Sequence, residues 1–253
     1  MGLKIIAHRG DSQTAPENTW PAFERAWHLA VDSLEFDYHH SREGVPVVIH
    51  DDTLDRTTNA VQRGYQPGTR VAAVTAQELA ALDAARWPDG RWEAFRPTAP
   101  PTVEAVLRRA VALKRRCVVE RKAGDAQTLC QLLTATGATA QVCLIAFAEA
   151  GGWDYLRDCE QCLPGLATAY NLLASEFSPA TLERLAHQYH ARRLNCDHRL
   201  LTRERVAELR SPPYGFEVWA WTVNDLERAR ELAAWQVQAI TTDIPAQLLQ
   251  GLG

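Results

Sequence analysis

Two histidines, an arginine and a pair of carboxylates stand at the ends of short apolar runs early in the chain. Ile5-Ile6-Ala7 runs into His8-Arg9-Gly10, and Val45 to Ile49 ends at His50-Asp51. Between them Leu34-Glu35-Phe36-Asp37-Tyr38 alternates. In a strand, that alternation sends Glu35 and Asp37 to one face and Leu34 and Phe36 to the other. Val118-Val119-Glu120-Arg121-Lys122 repeats the device and adds a third carboxylate and a cation on one face. Carboxylates on a common face suit a hard divalent cation such as Mg²⁺ or Ca²⁺, which prefers oxygen ligands. The Arg9 fork suits phosphate oxygens, and two imidazoles can exchange protons near neutral pH. The combined chemistry is metal-assisted cleavage of a phosphate ester. A lone histidine or aspartate is more often a cap, a core residue or a surface charge, but several at strand ends are harder to explain so.

The elements that must position these residues alternate between strand and helix. Strands are predicted near 4–7, 34–38, 118–122, 142–147, 166–170, 193–196, 217–222 and 238–242, with an extra one at 45–50. Pro16-Glu17-Asn18-Thr19 precedes an amphipathic run from Trp20 to Ala30. Thr75 to Glu78 has the form of a capping box, as Asn224 to Glu227 does more loosely. Ser178-Pro179 places a cap before a proline in the first turn. Eight strand–helix units predict a (β/α)8 TIM barrel, whose site lies at the C-terminal ends of the strands. Residues 52–100 break the alternation with Gly64, Pro67, Gly68, Pro88, Gly90, Pro97 and Pro100. They predict an insertion after the second strand, within one domain spanning 1–253.

A chain of 253 residues with 46% hydrophobic and 23% charged residues matches one soluble barrel domain. A net charge of −4 argues against a nucleic-acid partner. No signal-peptide pattern follows Met1, and no apolar run reaches the roughly 18 residues of a membrane span, so a cytoplasmic protein without membrane insertion is expected. Cys159-x-x-Cys162 with His187 and His190 offers four zinc donors, but the spacing fits no zinc finger. These and Cys117, Cys130, Cys143 and Cys196 are read as reduced thiols. His39 and His40 are read as surface residues, and His198 as a residue that could reach the barrel mouth.

The chain resembles the glycerophosphodiester phosphodiesterases of bacterial cytoplasmic type, over essentially its whole length. The resemblance rests on His8-Arg9-Gly10, Pro16-Glu17-Asn18-Thr19, Glu35-x-Asp37, Val48 to Thr58 (VIHDDTLDRTT) and Pro101-Thr102-Val103-Glu104. Glu120-x-Lys122, Trp221-Thr222-Val223-Asn224 and Thr242-Asp243-x-Pro245 follow in the family's order. It implies Glu35, Asp37 and Glu120 as ligands of one Mg²⁺ or Ca²⁺, and His8 and His50 as general base and general acid. It implies that Arg9 and Lys122 hold the phosphate, while Glu17 and Asn18 support Arg9 or a metal-bound water. Phe147 and Trp221 would form an apolar wall for the glycerol backbone. One departure is Ala146, where the family pattern suggests serine before Phe147. The implied partner is a small glycerophosphodiester, acted on by a monomer or homodimer, and 52–100 would cap part of the mouth. Alternatives are a lysophospholipase D or sphingomyelinase D-like lipid phosphodiesterase, an inactive metabolite-binding barrel, and an interaction protein built on 52–100. The intact histidines and carboxylates speak against the inactive barrel.

Overall fold

A computed structural model describes residues 2–87 and 89–252; Met1, Pro88 and Gly253 lie outside them, Pro88 among the residues that mark the insertion. Its strands are β1 (Lys4–Ala7), β2 (Ser33–His40), β3 (Pro46–Val48), β4 (Cys117–Arg121), β5 (Val142–Ala146), β6 (Ala167–Leu172), β7 (Arg193–Asp197), β8 (Glu217–Trp221) and β9 (Ala239–Thr242). The helices are α1 (Trp20–His28), α2 (Ala76–Ala80), α3 (Val103–Ala112), α4 (Ala126–Thr136), α5 (Gly152–Cys162), α6 (Pro179–His187), α7 (Arg203–Arg210), α8 (Leu226–Ala234) and α9 (Pro245–Leu252). Eight strands pair in parallel in the order β1-β9-β8-β7-β6-β5-β4-β2, and a β1–β2 pairing closes the ring. The fold is a (β/α)8 TIM barrel. Among the described residues, β3 is the one strand outside it, antiparallel to β2.

Alternation in the strands produces two layers. Leu34, Phe36, Val119 and Leu144 face outward into the main core, where Phe36 meets Phe23 of α1 at 5.9 Å between ring centroids. The inward residues Ile6, Val118, Cys143, Ile145, Ala169 and Trp219 form a separate apolar plug. The plug fills the middle of the barrel, with Lys4, Arg193 and Glu217 below it at the N-terminal end and Glu35, Glu120 and Asn195 above it at the C-terminal end. Residues 52–100 contain α2 and short single turns, and Leu54, Val71, Leu79 and Leu82 pack there with Val47 and Ile49. That second cluster anchors the segment on β3 and the residue after it, apart from the barrel core.

Helix starts follow their caps. The Thr75–Glu78 box forms, and Ser178 caps α6 through Thr181 N. At α8 the cap is Asp225, which accepts from Arg228 N, while the Asn224 side chain turns away to Asp243. Thr19 precedes α1 without a side-chain cap, because its hydroxyl donates to the Pro16 carbonyl at 2.6 Å. Pro16-Glu17-Asn18-Thr19 is thus a weak helix signal whose Glu17 and Asn18 side chains serve elsewhere.

Candidate active site

The chain leaves β1 through a turn that admits only glycine at its third position. Gly10 has φ +89°, and a Cβ there would lie 2.6 Å from the Ala22 Cβ of α1 and 2.7 Å from the Ala22 carbonyl carbon. This close approach folds His8 and Arg9 back over the barrel's C-terminal end. Arg9 itself adopts φ 55°, and its backbone N–H donates to Glu35 Oε2 at 2.8 Å.

Glu35 and Asp37 stand one pleat apart on β2, and strand register sets Asp37 beside Glu120 on β4. One oxygen from each of the three lies within 4.8 Å of the others, all buried. Asp37 accepts Asn18 Nδ2 at 2.9 Å and pairs with Lys122 Nζ at 3.2 Å and Arg9 Nε at 3.2 Å. Burial works to raise the Asp37 pKa, but Lys122 and Arg9 outweigh it and hold the carboxyl well below the usual range. Glu120 pairs with Lys122 and accepts Asn171 Nδ2 at 3.2 Å. Glu35 is different. Burial and the Asp37 charge push it up to about 8, and its Oε1 has no partner. A buried carboxylate oxygen without a donor is costly, and a divalent cation is the ligand that would satisfy it and lower that pKa. The three carboxylates therefore fit a hard cation.

The two histidines are each held through Nδ1. His8 bonds Asp243 Oδ1 and His50 bonds Asp51 Oδ1, both at 2.6 Å. A carboxylate accepts, so Nδ1 carries the proton in each and Nε2 remains for chemistry. Burial works to lower the His8 pKa, but the Asp243 bond and the Glu35 charge leave it raised. Asp243 is fixed in turn by Ser12 Oγ at 3.1 Å and Asn224 Nδ2 at 2.5 Å. Burial works against its charge, yet the His8 bond brings its carboxyl down to about 2. Beside His50, Arg56 donates to both oxygens of Asp51 at 2.7 and 2.9 Å and to both of Glu17 at 3.0 and 2.7 Å. Glu17 also accepts Arg9 Nη1 at 2.9 Å.

His8, Arg9, Glu35, His50, Glu120 and Lys122 line one cavity, together with Phe147 and Trp221. The two rings meet edge to face at 5.4 Å, and Lys122 Nζ lies 5.9 Å from the Phe147 centroid. Trp221 Nε1 donates to the Asn195 carbonyl at 3.0 Å, which fixes that wall. Asp37, Glu17 and Asn18 sit behind the lining. A second cavity opens at the N-terminal end of the strands near Lys4, Cys143 and Trp219, and neither a histidine nor a carboxylate lines it.

Other expectations fare differently. His39 and His40 are half-buried; His39 Nε2 donates to the His50 carbonyl at 3.0 Å, and the His40 ring lies under Tyr38. His198 contacts Arg228 outside the cavity. Among the described residues, Glu35, Asp37 and Glu120 are the one group of three or more placed to share a metal, so the cysteines and His187–His190 form none. All six cysteines are free, and Cys159 is buried where Cys162 is exposed. Replacing Cys159 and Cys162 with serine is expected to leave turnover and zinc content unchanged; zinc at one per chain, lost in the double variant, is the contrary result. The partners Asp243, Asp51, Arg56, Asn171 and Asn195 went unassigned in the sequence. Asp51 adjoins His50 and Asp243 directly follows β9; both, with Arg56, stand inside the motifs that carry the family resemblance, which was the available signal.

The chain matches the family model described as the glycerophosphoryl diester phosphodiesterase family over residues 8–247. It is 32% identical over 249 residues to the Bacillus subtilis (strain 168) protein YhdW, covering 96% of this chain and 95% of that one. It superposes on a glycerophosphodiester phosphodiesterase from Agrobacterium tumefaciens str. C58 with a TM-score of 0.75 at 25% identity, covering 98% and 99% of the two chains. An Oleispira antarctica phosphodiesterase solved in complex with the product sn-glycerol-3-phosphate shares the fold, with a TM-score of 0.79, 24% identity and coverage of 99% and 96%.

Proposed function

The chain belongs to the glycerophosphoryl diester phosphodiesterase family and is an enzyme of that class, and from that premise we propose that it cleaves glycerophosphodiesters to sn-glycerol 3-phosphate and an alcohol by metal-dependent acid–base catalysis. The observation that carries this reading is the cavity that gathers His8, His50 and two of three clustered carboxylates. Glu35, Asp37 and Glu120 would hold Mg²⁺ or Ca²⁺, which when bound supplies charge neutralisation and orientation at the phosphoryl oxygens. Arg9 and Lys122 bind the phosphate and stabilise charge that develops on it. His8 Nε2 takes the proton of the attacking oxygen as that oxygen bonds phosphorus. The bond from phosphorus to the leaving alcohol oxygen breaks, and His50, which for this step must carry a proton on Nε2 as well as on Nδ1, delivers the Nε2 proton to that oxygen. Phe147 and Trp221 flank the glycerol carbons. Residues 52–100 cap part of the mouth beside His50, a reading supported by the contacts of Arg56 with Asp51 and Glu17. Six free cysteines fit a reducing, cytoplasmic setting. No helix among the described residues is long and apolar enough to cross a membrane, and the diester is a small molecule.

The direct test offers purified protein the choline, ethanolamine, inositol and glycerol diesters of glycerol 3-phosphate and follows sn-glycerol 3-phosphate release. Release from at least one is expected. Release from none, with cleavage of a lysophospholipid instead, would replace the substrate class.

A further inference from the structure

We propose that Arg56 is a positioning residue that ties the proton donor His50 to the phosphate-holding Arg9. The proposal rests on the functional reading above. Arg56 comes from the segment 52–100, outside the strands that carry the cavity's charged residues, yet four of its five N–H donors go to two carboxylates of the site. Nε and Nη2 take both oxygens of Asp51; Nη1 and Nη2 take both oxygens of Glu17. Each carboxylate hands the constraint on. Asp51 accepts His50 Nδ1, and Glu17 accepts Arg9 Nη1. The result is an unbroken row, His50–Asp51–Arg56–Glu17–Arg9, that alternates donor and acceptor throughout.

The ends of this row are in the cavity and its middle is not. Arg56 is 40% exposed and Glu17 only 10%. A planar fork can serve two carboxylates at once, which a single ammonium cannot do with the same geometry. Among the contacts of Asp51, Arg56 is the one that opposes rotation about His50, because the other, to His50 itself, turns with the ring. Without Arg56, Asp51 can swing to solvent and release the His50 tautomer. Glu17 would then answer to Arg9 alone, and Arg9 loses its outer brace. Partners that orient a working group commonly cost about 10- to 100-fold when removed.

The test compares Arg56→Ala and Arg56→Lys with the native enzyme on glycerophosphocholine. Both variants are expected to keep the native melting temperature and to lose about 10- to 100-fold in kcat/KM. Free guanidinium ion should restore several-fold of the Arg56→Ala loss without speeding the native enzyme, since the half-exposed site is open to it. A second readout needs no turnover. The ¹⁵N shifts of the His50 ring should report protonation at Nδ1 in the native protein and mixed tautomers in both variants. Native kcat/KM with an unchanged ring tautomer would overturn the proposal. So would a loss that tracks a fallen melting temperature and ignores guanidinium. If the native protein cleaves no glycerophosphodiester, the functional reading fails, and the ring tautomer alone decides the role of Arg56.

Discussion

His50→Ala is expected to cleave glycerophosphocholine about 10²- to 10⁴-fold more slowly than the native enzyme. Much of that loss should return on a p-nitrophenyl phosphodiester, if the enzyme accepts one, because p-nitrophenolate departs without needing a proton. His8→Ala should lose a similar factor and stay slow on both substrates, since its task is on the attacking side. The reverse pattern would exchange the two roles, and equal losses on both would assign the histidines to positioning only. The pH profile adds a sign. As a base, His8 must be neutral, and its pKa is raised by Asp243 and Glu35 against the effect of burial. kcat/KM should therefore fall as pH drops through a value above the ordinary imidazole range. A bound cation offsets the Glu35 contribution but leaves the Asp243 bond in place. Asp243→Asn removes a raising influence, so it should move that limb to lower pH while slowing turnover.

Chelation should abolish activity, and Mg²⁺ or Ca²⁺ should restore it. Glu35→Ala and Glu120→Ala should each need far more metal and turn over far more slowly. Neither should unfold, because the apolar plug below the site and the helix–strand core beyond it are untouched. Losing Glu35 also removes a carboxylate that burial and Asp37 already disfavour as an anion. Its variant is expected to melt no lower than the native protein without added metal, and lower when metal is supplied to both, since only the native chain gains binding energy. Thermal melts with and without cation check this. Native turnover by either variant at low metal would exclude that residue as a ligand.

The barrel could be read from the sequence because its physics is local. Period-two alternation, repeated at intervals a helix can span, is enough to orient Glu35, Asp37 and Glu120 inward. The assignment of that trio to a metal rests on the resemblance, and strand order brings two of its members together, since Asp37 and Glu120 are register partners. The groups that orient the histidines followed no such rule. Asp243 reaches His8 across 235 positions, and the Asn195–Asn171–Glu120 row crosses three strands. Neither is periodic. Nor does a sequence say that Asn224, where a cap was expected, will leave that duty to Asp225 and brace Asp243.

The bond between His8 and Asp243 also fixes when the protein can begin to work. His8 is made first, on a strand that pairs with both β2 and β9. Its backbone N–H donates to Thr242 at 2.9 Å and its ring to the next residue. During synthesis Arg9, Glu35, Asp37, His50, Glu120 and Lys122 leave the ribosome while the seam of the barrel is open and His8 has no partner. On the proposed mechanism the His8–Asp243 pair is completed only when the last strand joins the first. Trimming the chain from Asp243 onward would take away the partner of His8 while leaving both histidines and the three clustered carboxylates uncut.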